Sequence, residues 1–231
     1  EDEDKYWYWL EKDGKAYIPD SDDMKATGYA YDLGDGALEV DGSQFSFAKK
    51  KINSKDYFFN ADGEMLSDFV NVVHTEDANV IDLGMYYFGG SSDGSMKTGS
   101  VSVNLDGDSY NFLFKKTGAA DSRGRGVNGV DDGKYIYKYG QKVKADSDDK
   151  YTLVYANGNI NDSNVVVEDF DNADIKGIDG VKAFDLAAKK DSDEDNLRGY
   201  YGFGTAQDGW YLVNTSGRIQ TGTKSGTKDG Y

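Results

Sequence analysis

Apolar and polar positions alternate with a period of two in short stretches along the chain. Tyr135-Ile136-Tyr137-Lys138-Tyr139 and Phe112-Leu113-Phe114 are the clearest. That period sends successive side chains to opposite faces, as a strand does. No long segment carries the helical period; the nearest, Phe184 to Lys190, predicts one or two turns at most. The stretches are separated by polar turns rich in Gly and Asp, so the pattern predicts strands joined by tight turns.

Two turn devices recur. In the first, an aromatic strand runs into a polar turn ending in Gly, and a short second strand follows. The copies are Trp7 to Gly14, Tyr57-Phe58-Phe59-Asn60-Ala61-Asp62-Gly63-Glu64-Met65, Tyr86 to Gly99 with Met96, and Trp210 to Gly222. The second device places an apolar residue, one or two Asp and a Gly just before an aromatic strand. It occurs at Val40-Asp41-Gly42, Leu105-Asp106-Gly107, Val130-Asp131-Asp132-Gly133 and Ile178-Asp179-Gly180. Asp-Gly between apolar stretches is a hairpin signal. One hairpin cannot bury its own face, whereas stacked hairpins bury each against the next. The expected fold is therefore all-β, an elongated solenoid of stacked β-hairpin repeats with irregular polar insertions. Asn71 to Asp82, Thr117 to Gly129, Val165 to Gly177 and Asp185 to Leu197 read as those insertions. No domain boundary is evident; residues 1–231 read as a single array, with an irregular section over 146–180. Both ends are expected to lie inside a longer surface protein.

Composition sharpens this. Of 231 residues, 42 are Asp or Glu and 26 Lys or Arg, a formal net charge of -16. Such a chain repels phosphate backbones and anionic lipid, so neither nucleic acid nor membrane insertion is an expected partner. Aromatics make up 14%, too many for a disordered acidic chain. Gly 29 against Pro 1 points to many tight turns. There is no Cys, which removes disulfides and thiolate metal sites. No apolar run is long enough for a transmembrane helix.

The segment from Trp210 to Gly222 resembles the bacterial cell-wall-binding repeat, a family that includes choline-binding modules and the glucan-binding repeats of glucosyltransferases. Tyr57 to Met65 and Met85 to Gly99 are similar to it, Trp7 to Gly14 less closely, and Tyr135 to Val143 loosely; the copies are degenerate. The resemblance implies an extracellular protein, secreted or attached to the surface of a Gram-positive bacterium. In choline-binding members, ligand cages form between hairpins from the first strand aromatic, the aromatic after the closing Gly, and a Met. The first position holds Trp7, Asp56, Met85 and Trp210 here. The second holds Tyr29, Phe69, Ser100 and Thr223, of which two carry no ring, so glycan or protein binding fits at least as well as choline. The implied ligand-binding set is Trp7, Trp9, Tyr29, Phe58, Met65, Phe69, Tyr87, Met96 and Trp210. Aromatic faces attract organic cations and stack on sugar rings.

Each of these residues has a second reading. The three Trp can pack between hairpins, Met65 and Met96 can fill gaps there, and Tyr57, Phe59, Tyr86 and Phe88 read as distributed core. The acidic runs from Asp20 to Asp23, Asp146 to Asp149 and Asp191 to Asn196 read as solvated loops. The last lacks the Gly and Glu that a calcium loop requires, so no metal site is expected. One histidine, His74, excludes a multi-His zinc centre, and Arg123 to Gly126 reads as a flexible loop. No cofactor and no catalytic residues are expected. The sequence thus supports a non-catalytic surface module that binds a cell-wall polymer or other glycan. The alternative is a structural spacer or host-protein adhesion segment with all its aromatics in the core.

Overall fold

The computed structural model of the chain describes residues 6–34, 36–118, 122–147, 151–170, 201–203, 209–220 and 222–224. Among these residues there is no helix, and every paired strand is antiparallel apart from one isolated parallel bridge. The all-β expectation holds. The chain divides into two compact units, Glu1–Val127 with Tyr139–Gln141, and Asn128–Lys138 with Lys142–Tyr231.

The first unit holds β1 (Ala26–Gly34), β2 (Ala37–Ile52), β3 (Lys55–Asn60), β4 (Phe69–Thr75) and β5 (Gly84–Tyr87) in one sheet, ordered β3-β2-β1-β4-β5. β6 (Gly99–Leu105) and β7 (Asp108–Phe114) form a hairpin in perfect one-to-one register. Gln141, the first residue of β10 (Gln141–Lys142), pairs with Phe112. Asp106 and Gly107 turn that hairpin with φ of 51° and 93°, as the Asp-Gly signal predicts. The β2–β3 turn uses Asn53 and Ser54, both at positive φ.

One turn signal misleads. Asp41-Gly42 lies inside β2, where the pairing with β1 slips between Gly28 and Ala30. Gly42, at φ 83°, belongs to this irregular stretch: the left-handed residue that a turn and a bulge both need does not say which is built. Two of the expected insertions are also strands in part. Asn71–Thr75 belongs to β4, flanked by β1 and β5, and Val167–Phe170 is β12.

The first unit has two apolar clusters. One joins Phe47, Phe58, Val70, Ile81, Tyr86 and Phe88; the rings of Phe58 and Phe88 lie 4.4 Å apart, and Phe47 stacks on Phe58 at 4.5 Å. The other joins Leu33, Phe69, Met85, Tyr87, Phe112 and Phe114. Aromatic rings supply most of this burial, as the low aliphatic content requires.

The second unit holds β8 (Gly129–Asp131) and β9 (Tyr135–Lys138), which pair together, then β11 (Tyr151–Ala156), which lies between β12 (Val167–Phe170) and β14 (Trp210–Asn214). β13 (Tyr201–Phe203) pairs with β15 (Gly222–Lys224). Its core is aliphatic: Val130, Ile136, Val143, Val154, Val213 and Ile219. The expected irregular section, 146–180, contains both β11 and β12; its residues 148–150 and 171–180, with Phe184–Lys190 and Asp191–Asn196, lie outside the described residues.

Candidate functional site

The site is built on the first hairpin. Glu11 and Gly14 close its turn, with the Gly14 amide donating to the Glu11 carbonyl at 2.9 Å. The Asp13 carboxylate accepts from the Lys15 amide at 3.1 Å, the local bond that makes Asp-Gly a turn former. The Tyr17 amide donates to the Trp9 carbonyl at 2.7 Å. The second hairpin repeats the device. Asn60 accepts from the amides of Asp62 and Glu64 through its side chain, at 3.0 and 2.9 Å, and from Gly63 through its carbonyl. In the other unit Asn214 does the same for Ser216, Arg218 and Gly217.

Consecutive hairpins are tied by one recurring bond. The Met65 amide donates to the Trp7 carbonyl at 2.8 Å, the Met96 amide to Asp56 at 2.8 Å, and the Gly126 amide to Met85 at 2.7 Å. Trp7, Asp56 and Met85 are the residues that the resemblance assigns to the first strand position. Each turn also abuts the copy before it. A Cβ on Gly63 would lie 2.3 Å from the Tyr17 carbonyl oxygen, and one on Gly94 would lie 2.3 Å from the Met65 Cε. Gly124 stands in the same relation to the Met96 Sδ, at 2.4 Å. Met65 and Met96 therefore pack beneath the next glycine turn, the gap-filling role of a flexible thioether. Arg123–Gly126 is correspondingly no loose loop: the Gly124 amide donates to Lys115, and the Arg125 guanidinium pairs with Asp82.

The expected ligand-binding residues fall into three groups. Phe58, Phe69 and Tyr87 are core residues, which corrects the expectation that they face a ligand. Phe58 is 0% exposed, and Phe69 stacks on Tyr87 at 4.4 Å and lies 4.8 Å from Phe112. All three pack inside the apolar clusters of the first unit. Tyr29, Met65, Met96 and Trp210 are half-buried; Trp210 packs against the Tyr155 ring at 5.2 Å across the β11–β14 pair. Trp7 and Trp9 are exposed, at 54% and 37%, as are Tyr6 and Tyr8 between and beside them.

The structure adds neighbours that the sequence did not reveal. The Tyr8 hydroxyl donates to Glu64 Oε1 at 3.2 Å, and Asn60 Nδ2 donates to Glu64 Oε2 at 2.7 Å. Desolvation by the neighbouring atoms, the Glu64 hydrogen bond and the charges of Glu64 and Asp62 push the pKa of the exposed Tyr8 hydroxyl up. Tyr17 lies edge-on to Phe59 at 5.3 Å and donates to Asp23 Oδ2 at 3.1 Å. Lys50 Nζ sits 3.5 Å above the Tyr17 ring and 3.2 Å from Glu11 Oε1. Burial, then Asp23, Asp20 and Glu11, raise the Tyr17 hydroxyl pKa well above its ordinary range. Glu64 stands 56 residues from Tyr8, a separation at which no local spacing rule reports contact.

Asp20 is occupied locally, its Oδ1 accepting from the Asp22 and Asp23 amides at 2.9 and 3.0 Å. Among the described residues no group of three or more acidic or histidine side chains has the arrangement of a metal site. His74 is exposed on β4, paired with Thr27. Among the described residues no helix is long and apolar enough to cross a membrane.

No protein-family model matches the chain, and no curated protein matches it. Among solved structures, alternansucrase in complex with isomaltononaose aligns over 95% of this chain and 16% of its own, at 14% identity and a TM-score of 0.22. At that TM-score the likeness carries no weight for fold or ligand.

Proposed function

We propose that the chain is a non-catalytic binding module of a bacterial surface protein, assembled from β-hairpin repeats, that holds a cell-wall or other glycan on the exposed rings of its first hairpin. The observation that supports this is the exposure of Trp7 and Trp9 on a backbone pinned by the Met65–Trp7 and Tyr17–Trp9 bonds. Contiguous exposed aromatic surface is costly to leave in water and marks interaction sites. Neutral sugar rings present C–H faces to such rings, and a pinned hairpin loses little freedom on binding. The half-buried Trp210 is a weaker candidate for the same role.

A second reading, the spacer or adhesion segment, draws on the other aromatics. Phe47, Phe58, Phe59, Tyr86, Phe88, Phe112 and Phe114 are all fully buried, so these rings hold the fold together. The two readings part at Trp7. Titration of Trp fluorescence with choline, peptidoglycan fragments and soluble α- and β-glucans tests them. The binding reading expects a saturable shift with a glycan, weakened by at least about 1 kcal/mol in Trp7→Ala by analogy with other aromatic platforms. No shift with any of them, in a protein shown folded by circular dichroism, rejects it in favour of the spacer.

A further inference from the structure

We infer that the junction between the Tyr135 and Trp210 hairpins of the second unit is a subsite for a sugar carboxylate, held by Lys142 and Arg218 beside the Tyr135 ring. It uses none of the first-hairpin rings and goes beyond the reading proposed for them.

The junction is built by the bonds that tie the earlier hairpins together. The Ile219 amide donates to the Lys134 carbonyl at 2.8 Å, as the Met96 amide does to Asp56. The Val143 amide donates to Ile136 at 2.9 Å, as the Leu66 amide does to Phe58. A Cβ on Gly217 would lie 2.9 Å from the Val143 carbonyl oxygen and 3.1 Å from Lys142 Cδ and Cε. Lys142 thus stands under the Gly217 turn where Met65 stands under Gly94. Arg218 follows its turn glycine as Ser95 follows Gly94 and Arg125 follows Gly124.

The equivalent positions carry different chemistry. Met65 and Met96 fill their gaps with a neutral thioether. Lys142 fills the same gap with its stem and brings an ammonium to 5.0 Å from the Tyr135 ring centroid. Burial, then the Lys144 charge, lowers the Lys142 pKa, so the position disfavours the charge it carries. Among the described residues no carboxylate pairs with Lys142 or Arg218, whereas Lys134 is held by Asp132. Arg125 shows what the Arg218 position accepts: its guanidinium pairs with the Asp82 carboxylate. Arg218 presents the same group to solvent, in the planar fork that matches a carboxylate. Tyr135 is half-buried, so part of its ring stays open beside the two cations and offers a sugar ring an apolar contact. The chain as a whole carries -16, which repels long polyanions. The subsite therefore suits an isolated or short acidic stretch of a glycan better than an extended polyuronate.

The test titrates the protein by calorimetry with trigalacturonate and with its fully methyl-esterified form. Salt is kept at about 0.15 M, where the field of distant charges is screened beyond about 8 Å. The acid form is expected to bind at least about tenfold more tightly than the ester. Lys142→Met, the side chain that Met65 places in the equivalent gap, and Arg218→Gln should each remove most of that ratio and leave the ester unchanged. Acylation of Lys142, followed by mass spectrometry, should slow when the acid form is added and not when the ester is. Trp7→Ala should leave the ratio intact; its loss there instead places the carboxylate at the first hairpin and overturns the subsite. No binding of the acid form, equal affinity for acid and ester, or unaltered labelling of Lys142 also overturns it. So does a ratio that survives both substitutions together in a protein with unchanged circular dichroism. Glycan binding at the first hairpin is tested separately, by the neutral glucans and Trp7→Ala.

Discussion

The first and second hairpins start from the same instruction and end in opposite environments. Tyr6-Trp7-Tyr8-Trp9 and Tyr57-Phe58-Phe59 each run into a polar turn closed by Asp-Gly. The Trp9 and Phe59 segments are closed by equivalent bridges, Leu10 to Ala16 and Phe59 to Met65. Yet Trp7 and Trp9 face solvent, while Phe58 and Phe59 are sealed. The difference lies outside the hairpins. β2 pairs alongside Phe58 and Phe59, and the Tyr17 ring closes on Phe59 at 5.3 Å; no described strand lies along Trp7 in that way. An aromatic run specifies a strand, and its neighbours decide whether that strand is core or binding surface.

The sharpest way to break the comparison is to truncate one ring on each side of it. Phe58→Ala removes a ring that packs against Phe47, Tyr86 and Phe88. It should cost about 3–5 kcal/mol, the usual figure for a buried ring, and lower the midpoint of denaturant unfolding accordingly. Trp9→Ala should change stability by less than about 1 kcal/mol. Similar losses in the two variants would mean that Trp9 is core after all.

The contact between copies offers the next test. Gly94 has a φ of 67°, and any Cβ there collides with the Met65 thioether. Gly94→Ala should therefore cost about 2–4 kcal/mol, part from the left-handed backbone and part from the collision. Met65→Ala in the same chain should recover the collision and leave the backbone share, so the double variant should lose less than the two single variants added together. Strict additivity would show that the Met-under-Gly stacking contributes nothing.

This stacking separates what could be read in advance from what could not. The strands at Phe112–Phe114 and Tyr135–Lys138 follow from alternation, and the turns at Asp106-Gly107, Gly63 and Gly217 from local chemistry. Those signals act within a few residues. Burial of Phe58 and Phe69 depends on β2, β4 and β7, whose pairing is not written into the aromatic run itself. The same holds for the site. Trp7 and Trp9 stand out as candidates in the sequence, whereas the contacts of Glu64 with Tyr8 and of Lys50 with Tyr17 join residues too far apart in the chain for any local pattern to report. Asp41-Gly42 fails for a related reason: the β1–β2 ribbon runs past it, and the local left-handed conformation is absorbed as a bulge.

A smaller effect compares the two units. Asn60 and Asn214 each satisfy two amides of a Gly turn through one side-chain oxygen. Replacing either by Ala should cost about 1–2 kcal/mol, since each also loses a third side-chain bond, Asn60 to Glu64 and Ser216 to Asn214, all in a partly exposed turn. If the two turns are equivalent, the losses measured by thermal unfolding should agree within about 0.5 kcal/mol. A large loss at one and none at the other would mean that the turn chemistry is set by its surroundings and not by the Asn.

The smallest predicted effect lies in the third turn and is read by pH. Burial acts to raise the Asp93 pKa. The hydrogen bonds from the Lys97 ammonium and from the Ser95 hydroxyl and amide outweigh it, and hold the carboxyl down at about 2 against an ordinary 3.8. A carboxylate whose pKa is depressed by folding favours the folded state above its unfolded pKa, because the unfolded chain binds the proton more readily. That contribution should be fully present at neutral pH and should fade as pH falls from about 4 to about 2. Its size is small because the side chain is 44% exposed and water screens the Lys97 pair. Asp93→Asn should therefore be slightly less stable than the parent at pH 7, and the gap should close by pH 2 in paired denaturant titrations. A gap independent of pH would assign the role of Asp93 to turn geometry alone, with its charge contributing nothing to the stack.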